Sequence, residues 1–127
     1  MREISVTIDG VRSPLLEFGS RDVSEAVVFV HGNPGSSRDW ERLARGAGEF
    51  GRAVAMDMPG FGAADKPPNF DYSVPGYARF LGRLLGELGI RHAHLVMHDF
   101  GGRGGWPGRR PIRWELRVSP ASIPEFY

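Results

Sequence analysis

Apolar and polar positions alternate near the start of the chain and give way to short apolar runs further along. Residues 4–8 alternate, Asp9-Gly10 is typical of a tight turn, and residues 11–18 continue as a second strand, so an N-terminal hairpin is predicted. Three later runs are mostly apolar, as in strands that are buried on both faces of a sheet. These runs are residues 26–30, 52–58 and 94–97.

Two segments between these runs carry apolar residues at helical spacing. The first begins with Ser36 or Ser37 as a cap and extends to about residue 50. The second begins at Ser73 and is closed by Gly89. Strands that alternate with helices form parallel βαβ units, so the predicted fold class is α/β, with an N-terminal hairpin joined to a doubly wound parallel sheet.

The composition is that of an ordinary soluble protein of one domain at most, with 127 residues, 41% hydrophobic residues, a net charge of +1 and no cysteine. A disulfide framework is therefore excluded. The sequence has no run of about 18 apolar residues and no basic-then-apolar leader, so we expect neither a transmembrane helix nor a signal peptide, and a cytoplasmic location. The balanced charge gives no electrostatic basis for binding nucleic acid or a membrane.

Residues 94–102 read HLVMHDFGG, an apolar run that stops at Asp99 and is followed by Phe100, Gly101 and Gly102. This layout is typical of a nucleophile elbow, a strained strand-to-helix turn with the reactive side chain at its apex and small neighbours beside it. A carboxylate is ionised at neutral pH, so Asp99 can attack a saturated carbon and form an ester. The alternative is an aspartate that caps a helix before flexible glycines.

Two upstream segments have a similar layout, because each is an apolar strand that ends in a glycine-rich and proline-containing turn. Residues 26–35 read AVVFVHGNPG, and residues 54–62 read VAMDMPGFG with Asp57 directly after the strand. Backbone N–H groups in such a turn can face an oxyanion or a leaving group. Asp57 itself is interpreted as a turn-forming or supporting residue.

The order HGNPG, DMPGFG and HDFGG resembles the α/β-hydrolase superfamily, and most of all its branch with an aspartate nucleophile, which contains haloalkane dehalogenases and epoxide hydrolases. The resemblance covers residues 1–102, the N-terminal part of such a domain. It implies that Asp99 is the nucleophile and that the backbone N–H groups of Asn33 and Phe100 stabilise developing negative charge. The substrate would be a small apolar halide or epoxide, without a cofactor or metal. From the residues of the two turns, turn-forming roles are predicted for His31, Gly32, Pro34, Gly101 and Gly102.

The chain departs from this family in two ways. Dehalogenases usually carry tryptophan after the nucleophile, whereas Phe100 has no N–H to bind a halide, so halide and epoxide chemistry both stay open. Hydrolysis of the ester also needs a histidine and an acidic residue that follow the nucleophile in the chain. The only acidic residues after Asp99 are Glu115 and Glu125, and no histidine follows it. We therefore expect no completed turnover from these 127 residues. The alternative is a non-catalytic α/β fragment or interaction module.

Residues 103–127 have a different composition, with five arginines, four prolines and three glycines in twenty-five residues. One interpretation is a genuine basic tail that is disordered or binds an acidic partner. The other is translation in the wrong frame, because the shifted codons of residues 102–113 permit PWGLAWAAAHP, which resembles the helix after this elbow in hydrolases. In the family the sheet continues beyond the fifth strand, so its open edge here predicts aggregation or self-association.

Overall fold

The computed structural model describes residues 1–32, 34–97 and, as backbone only, 117–118. They form one sheet with the strand order β1-β2-β4-β3-β5-β6. The strands are β1 (Arg2–Ile8), β2 (Val11–Phe18), β3 (Glu25–Val30), β4 (Arg52–Met56), β5 (His92–Met97) and β6 (Arg117–Val118). A 3-10 turn (Ser37–Trp40) leads into α1 (Glu41–Ala47), and α2 (Val74–Glu87) connects β4 to β5.

The N-terminal hairpin is confirmed. β1 and β2 pair antiparallel from Arg2 opposite Glu17 to Ile8 opposite Val11. The two turn residues, Asp9 and Gly10, both have positive φ, as a type I′ turn requires. β2 then pairs antiparallel with β4 and so attaches the hairpin to the rest of the sheet.

The doubly wound arrangement is also confirmed. β3 lies between β4 and β5 and is parallel to both. Side chains alternate across the sheet, so α2 packs on the face that carries Val28, Val54 and their neighbours, whereas α1 and Trp40 pack on the face that carries Phe29. β4 is buried along its whole length, because it is a central strand covered on both faces.

The predicted boundaries differ from the structure at β4 and β5. β4 ends at Met56 rather than at residue 58, because the N–H of Met58 donates to the ring of His31 instead of to a neighbouring strand. β5 begins at His92 rather than at residue 94, because it pairs with Glu25 from that point. The helix expected to extend to about residue 50 is a 3-10 turn followed by α1, and it ends at Ala47.

The sequence predicted no element in residues 103–127, yet Arg117–Val118 forms β6. It pairs antiparallel with Ala93 and His94 of β5. A sheet edge presents unpaired backbone groups that accept a short segment without demanding a particular side-chain pattern, which is why two residues suffice. Within the described residues, no helix is long and apolar enough to cross a membrane.

Candidate active site

The residues that end β3 and β5 are neighbours at one edge of the sheet. Val30 and Met97 are partners in the parallel ladder and are the last residues of their strands. Of the predicted site residues, His31, Gly32 and Pro34 follow β3 directly and are described. The others lie outside the described residues, namely Asn33, Asp99, Phe100, Gly101 and Gly102.

His31 is fully buried and both of its ring nitrogens are hydrogen-bonded. Its Nε2 lies 3.0 Å from the backbone nitrogen of Met58, and its Nδ1 lies 2.8 Å from the carbonyl oxygen of Gly32. A backbone N–H only donates and a carbonyl only accepts, so the contacts assign a neutral ring that accepts at Nε2 and donates from Nδ1. The ring also packs against Phe61 in a T-shaped arrangement, at 5.2 Å between ring centroids.

Asp57 is buried beside the same turn, and its two carboxylate oxygens have separate partners. The N–H of Ser37 donates to Oδ1 at 2.7 Å, and the N–H of Ala63 donates to Oδ2 at 2.8 Å. Hydrogen bonds to a buried carboxylate offset the cost of removing it from water. The carboxylate therefore joins the segment after β3 to the loop after β4. These contacts agree with the interpretation of Asp57 as a turn-forming or supporting residue.

The segment that leads from the turn into α1 is compact. Ser36 caps the 3-10 turn, since its hydroxyl accepts from the N–H of Arg38 while its own N–H donates to Asp39. A Cβ on Gly35 would lie 2.8 Å from the carbonyl oxygen of Gly32, so the close approach requires glycine. The sequence predicted this cap at Ser36 or Ser37, and the structure assigns it to Ser36.

The loop after β4 is fixed at several points. Tyr77, on α2, donates its hydroxyl to the carbonyl oxygen of Pro59 at 2.8 Å. Burial raises the pKa of Tyr77 to about 12, and the nearby Tyr72 adds to the rise. Further along, Asp65 accepts from the N–H of Arg12 at 2.9 Å and returns a hydrogen bond from its own N–H. The irregular loop that the prolines predicted is thus ordered by contacts with β2 and α2.

Sequence reasoning did not find the contact between His31 and Met58 or the two acceptor contacts of Asp57. The available signal was the position of each residue, because both directly follow a buried strand and precede a turn. A polar side chain there is close to turn amides that have no partner in the sheet. The particular partners depend on the strand order, which sequence pattern alone does not specify.

Other parts of the described chain offer less chemistry. Among the described residues, no three His, Cys, Asp or Glu side chains come together as a metal site would need. A groove of about 320 Å³ lies between the hairpin turn and α2. Two ion pairs line its rim, one between Arg79 and Asp71 and one between Arg83 and Asp9. Hydrogen bonds that Ser73 donates hold the pKa of the exposed Asp71 carboxyl below its usual value, and the pairing with Arg79 contributes.

Comparison with known proteins identifies the fold family. A family model described as alpha/beta hydrolase fold matches residues 25–106. A haloalkane dehalogenase of Agrobacterium fabrum is 33% identical over 106 residues, which are 82% of this chain and 34% of that protein. This chain thus spans about a third of the length of that relative.

Solved structures agree with this match. The crystal structure of a bacterial membrane phospholipase A superposes with a TM-score of 0.73 and 32% identity, over 79% of this chain and 32% of that one. An epoxide hydrolase of Vigna radiata superposes with a TM-score of 0.69 and 27% identity, over 77% of this chain and 32% of that one. The chain therefore belongs to the alpha/beta hydrolase fold family and covers the N-terminal part of that fold.

Proposed function

We propose that this chain is the nucleophile-bearing part of a hydrolase in which Asp99 attacks a carbon atom of a small apolar halide or epoxide. The observation that carries the proposal is the pairing of Val30 with Met97, because Asn33 follows the first by three residues and Asp99 follows the second by two. In open α/β sheets, ligands bind beyond the carboxyl ends of neighbouring strands. Similarity to a haloalkane dehalogenase and to an epoxide hydrolase supports both substrate classes.

The first step of this chemistry is a displacement at carbon. With a halide, a carboxylate oxygen of Asp99 forms a bond to carbon while the carbon–halogen bond breaks, and the halide leaves with the electron pair. With an epoxide, the same attack breaks one ring carbon–oxygen bond, and the resulting alkoxide takes a proton from water. In the proposal, the backbone N–H groups of Asn33 and Phe100 stabilise the developing negative charge.

The second step would need further residues. Water must attack the ester carbonyl, and a histidine that takes the water proton follows the nucleophile in the chain order of this fold. No histidine follows Asp99 in these 127 residues. The proposal therefore assigns the base and its acid partner to sequence other than residues 100–127, and it predicts at most one equivalent of product per chain from the 127-residue protein.

The segment after Gly102 is part of the same proposal, which divides the chain into hydrolase sequence over residues 1–102 and unrelated sequence over residues 103–127. The shifted reading frame from Gly102 permits a helix sequence of the hydrolase type, whereas the translated frame is rich in arginine and proline. Sequencing the encoding DNA beyond residue 127 tests this division. A shifted frame that stops early, without hydrolase-like sequence, would contradict it.

Covalent labelling tests the nucleophile. We would incubate the 127-residue chain separately with 1-bromobutane and with 1,2-epoxybutane, and locate the adduct by peptide mass spectrometry. The expected result is one adduct, on Asp99, which Asp99→Asn abolishes. The control is Asp22→Asn, which removes an exposed carboxylate that is distant from Asp99 in the sequence and should leave labelling unchanged. The probe that reacts distinguishes halide from epoxide chemistry.

Three results would contradict the proposal. Adducts spread evenly over surface carboxylates would favour the non-catalytic fragment or interaction module, and so would equal labelling of Asp99→Asn. Sustained release of more than one product per chain would contradict the assignment of the base to other sequence.

We also propose that the chain self-associates through the outer edge of β5. In the part of β5 that the structure describes, β6 covers only Ala93 and His94 on that edge. Size-exclusion chromatography of the same samples tests this.

A further inference from the structure

The turn after β3 is hydrogen-bonded at both of its ends to the residues that follow β4. At the first end, His31 accepts from the N–H of Met58 at 3.0 Å. At the other end, Ser37 donates its N–H to Asp57 at 2.7 Å. Met58 and Asp57 are consecutive, so two neighbouring residues hold both ends of a turn that contains Asn33.

We infer that His31 and Asp57 are positioning residues, which together fix this turn relative to β4 and so orient the N–H groups of the proposed site. This inference rests on the proposed function, because it is the chemistry at Asn33 that gives the orientation of the turn a consequence for reaction rate.

Both ring nitrogens of His31 and both carboxylate oxygens of Asp57 take part in these contacts. His31 Nδ1 donates to Gly32, inside the turn, while Nε2 accepts from outside it. Asp57 Oδ1 accepts from Ser37, and Oδ2 accepts from Ala63 in the loop after β4. Each side chain thus joins two loops, and removal of either leaves a buried N–H without its partner, which is unfavourable.

Asp57 is itself held by the hairpin. Its N–H donates to the carbonyl oxygen of Pro14 at 2.9 Å, and its carbonyl oxygen accepts from the hydroxyl of Ser13 at 2.6 Å. Both partners lie in β2, which pairs with β4. The carboxylate therefore extends from a backbone whose N–H and carbonyl oxygen are both hydrogen-bonded to β2. Through Asp57, the turn after β3 is thus held by a strand of the sheet.

Such positioning has a measurable effect on rate. Misplacement of a reacting group or a donor by about 1 Å can lower a rate by about 100-fold, and loss of one oxyanion donor by about 100- to 1,000-fold. We therefore expect variants of His31 or Asp57 that still fold to lower the labelling rate of Asp99 by about 10- to 100-fold, between a small displacement and complete loss of a donor.

Three variants separate the contacts. His31→Asn keeps a donor near the Gly32 carbonyl but cannot reach Met58, whereas His31→Gln extends a carbonyl oxygen toward the Met58 N–H. Asp57→Asn replaces one of the two acceptor oxygens by an amide NH₂ group, which cannot accept from the backbone N–H that faces it. The matched control is Tyr77→Phe, which also removes one buried hydrogen bond to the loop after β4, the one to Pro59, and changes neither His31 nor Asp57.

The readout is the time course of Asp99 labelling by 1-bromobutane or 1,2-epoxybutane, whichever labels the unmodified chain. The plateau gives the fraction of chains that is folded, and the first-order rate constant gives the reactivity of Asp99 within that fraction. A positioning role predicts that His31→Asn and Asp57→Asn lower the rate constant, that His31→Gln restores most of it, and that Tyr77→Phe lowers at most the plateau. Changes confined to the plateau in all variants would overturn the inference.

A second measurement separates this inference from the proposed function. If the unmodified chain is folded but unlabelled, the proposed function fails, and amide hydrogen exchange decides whether the two residues fix the turn. We expect His31→Asn to accelerate exchange at Met58, Asp57→Asn to accelerate it at Ser37 and Ala63, and Tyr77→Phe to do neither. Equal acceleration in all three variants would contradict the positioning role.

Discussion

Arg52 and Glu17 form a buried ion pair at the end of the sheet opposite to the turn that contains Asn33. The guanidinium of Arg52 donates from Nε and Nη2 to one carboxylate oxygen of Glu17, at 3.2 and 2.9 Å. The other carboxylate oxygen lies 3.2 Å from Arg2 and 2.8 Å from Arg21, both of which are exposed. One buried carboxylate therefore joins β1, β2, β4 and the segment after β2.

Replacement of Glu17 by Gln should destabilise the chain more than any change to the exposed arginines around it. The variant leaves the buried Arg52 without a charged partner, and breaking one side of a buried pair costs about 3 to 5 kcal/mol. Arg21→Ala, the control, removes an exposed partner and should cost less than about 1 kcal/mol. Urea unfolding followed by circular dichroism measures both, and equal losses would show that the buried pair has no special weight.

Tyr77 should make the stability of the chain fall at high pH. Burial raises its pKa to about 12 in the folded protein, whereas an unfolded tyrosine titrates at about 10. The unfolded state therefore loses its proton first, so the contribution of Tyr77 is complete below about pH 10 and is lost as the pH rises through about 12. Unfolding curves across this range test the prediction. Tyr77→Phe should flatten the decline, and an unchanged slope would contradict it.

Two glycine substitutions should change the stability of the chain in opposite directions. Gly62 has a φ of +53°, and a Cβ there would lie 2.5 Å from Asp57 Oδ2, so Gly62→Ala should cost at least about 1 to 2 kcal/mol. Gly86 lies on the exposed side of α2 with open space around its Cα, so Gly86→Ala should stabilise by about 0.5 to 1 kcal/mol. Thermal unfolding of both variants checks the pair, and a neutral Gly62→Ala would show that Asp57 can shift.

The sequence predicted those features of the fold that depend on local pattern. Period-two alternation and the Asp9-Gly10 turn predicted the hairpin, and Ser73 with the apolar stripe of α2 predicted that helix. The pattern of strands and helices predicted a parallel, doubly wound sheet, which the strand order confirms. The hairpin and the helix follow from residues close together along the chain, and the alternation of strands with helices restricts the sheet to parallel βαβ units.

Features that depend on distant contacts were not predictable in this way. The end of β4 is set by the hydrogen bond from Met58 to His31, twenty-seven residues earlier in the chain. The burial of Glu17 depends on Arg52, thirty-five residues later. The roles of Asn33, Asp99 and Phe100 stay predictions, since these residues lie outside the described part of the chain.

The position of β4 between two strands that precede it in the chain has a consequence for folding. The hairpin and β3 are synthesised first, yet each pairs with β4 and not with the other in the described sheet. Insertion of residues 52–56 must therefore bring two earlier pieces together at once, and it closes loops as long as the separation of Leu15 from its partner Met56. Nonlocal pairing of this kind slows folding. We expect a nascent chain to gain a continuous sheet only after β4 has left the ribosome.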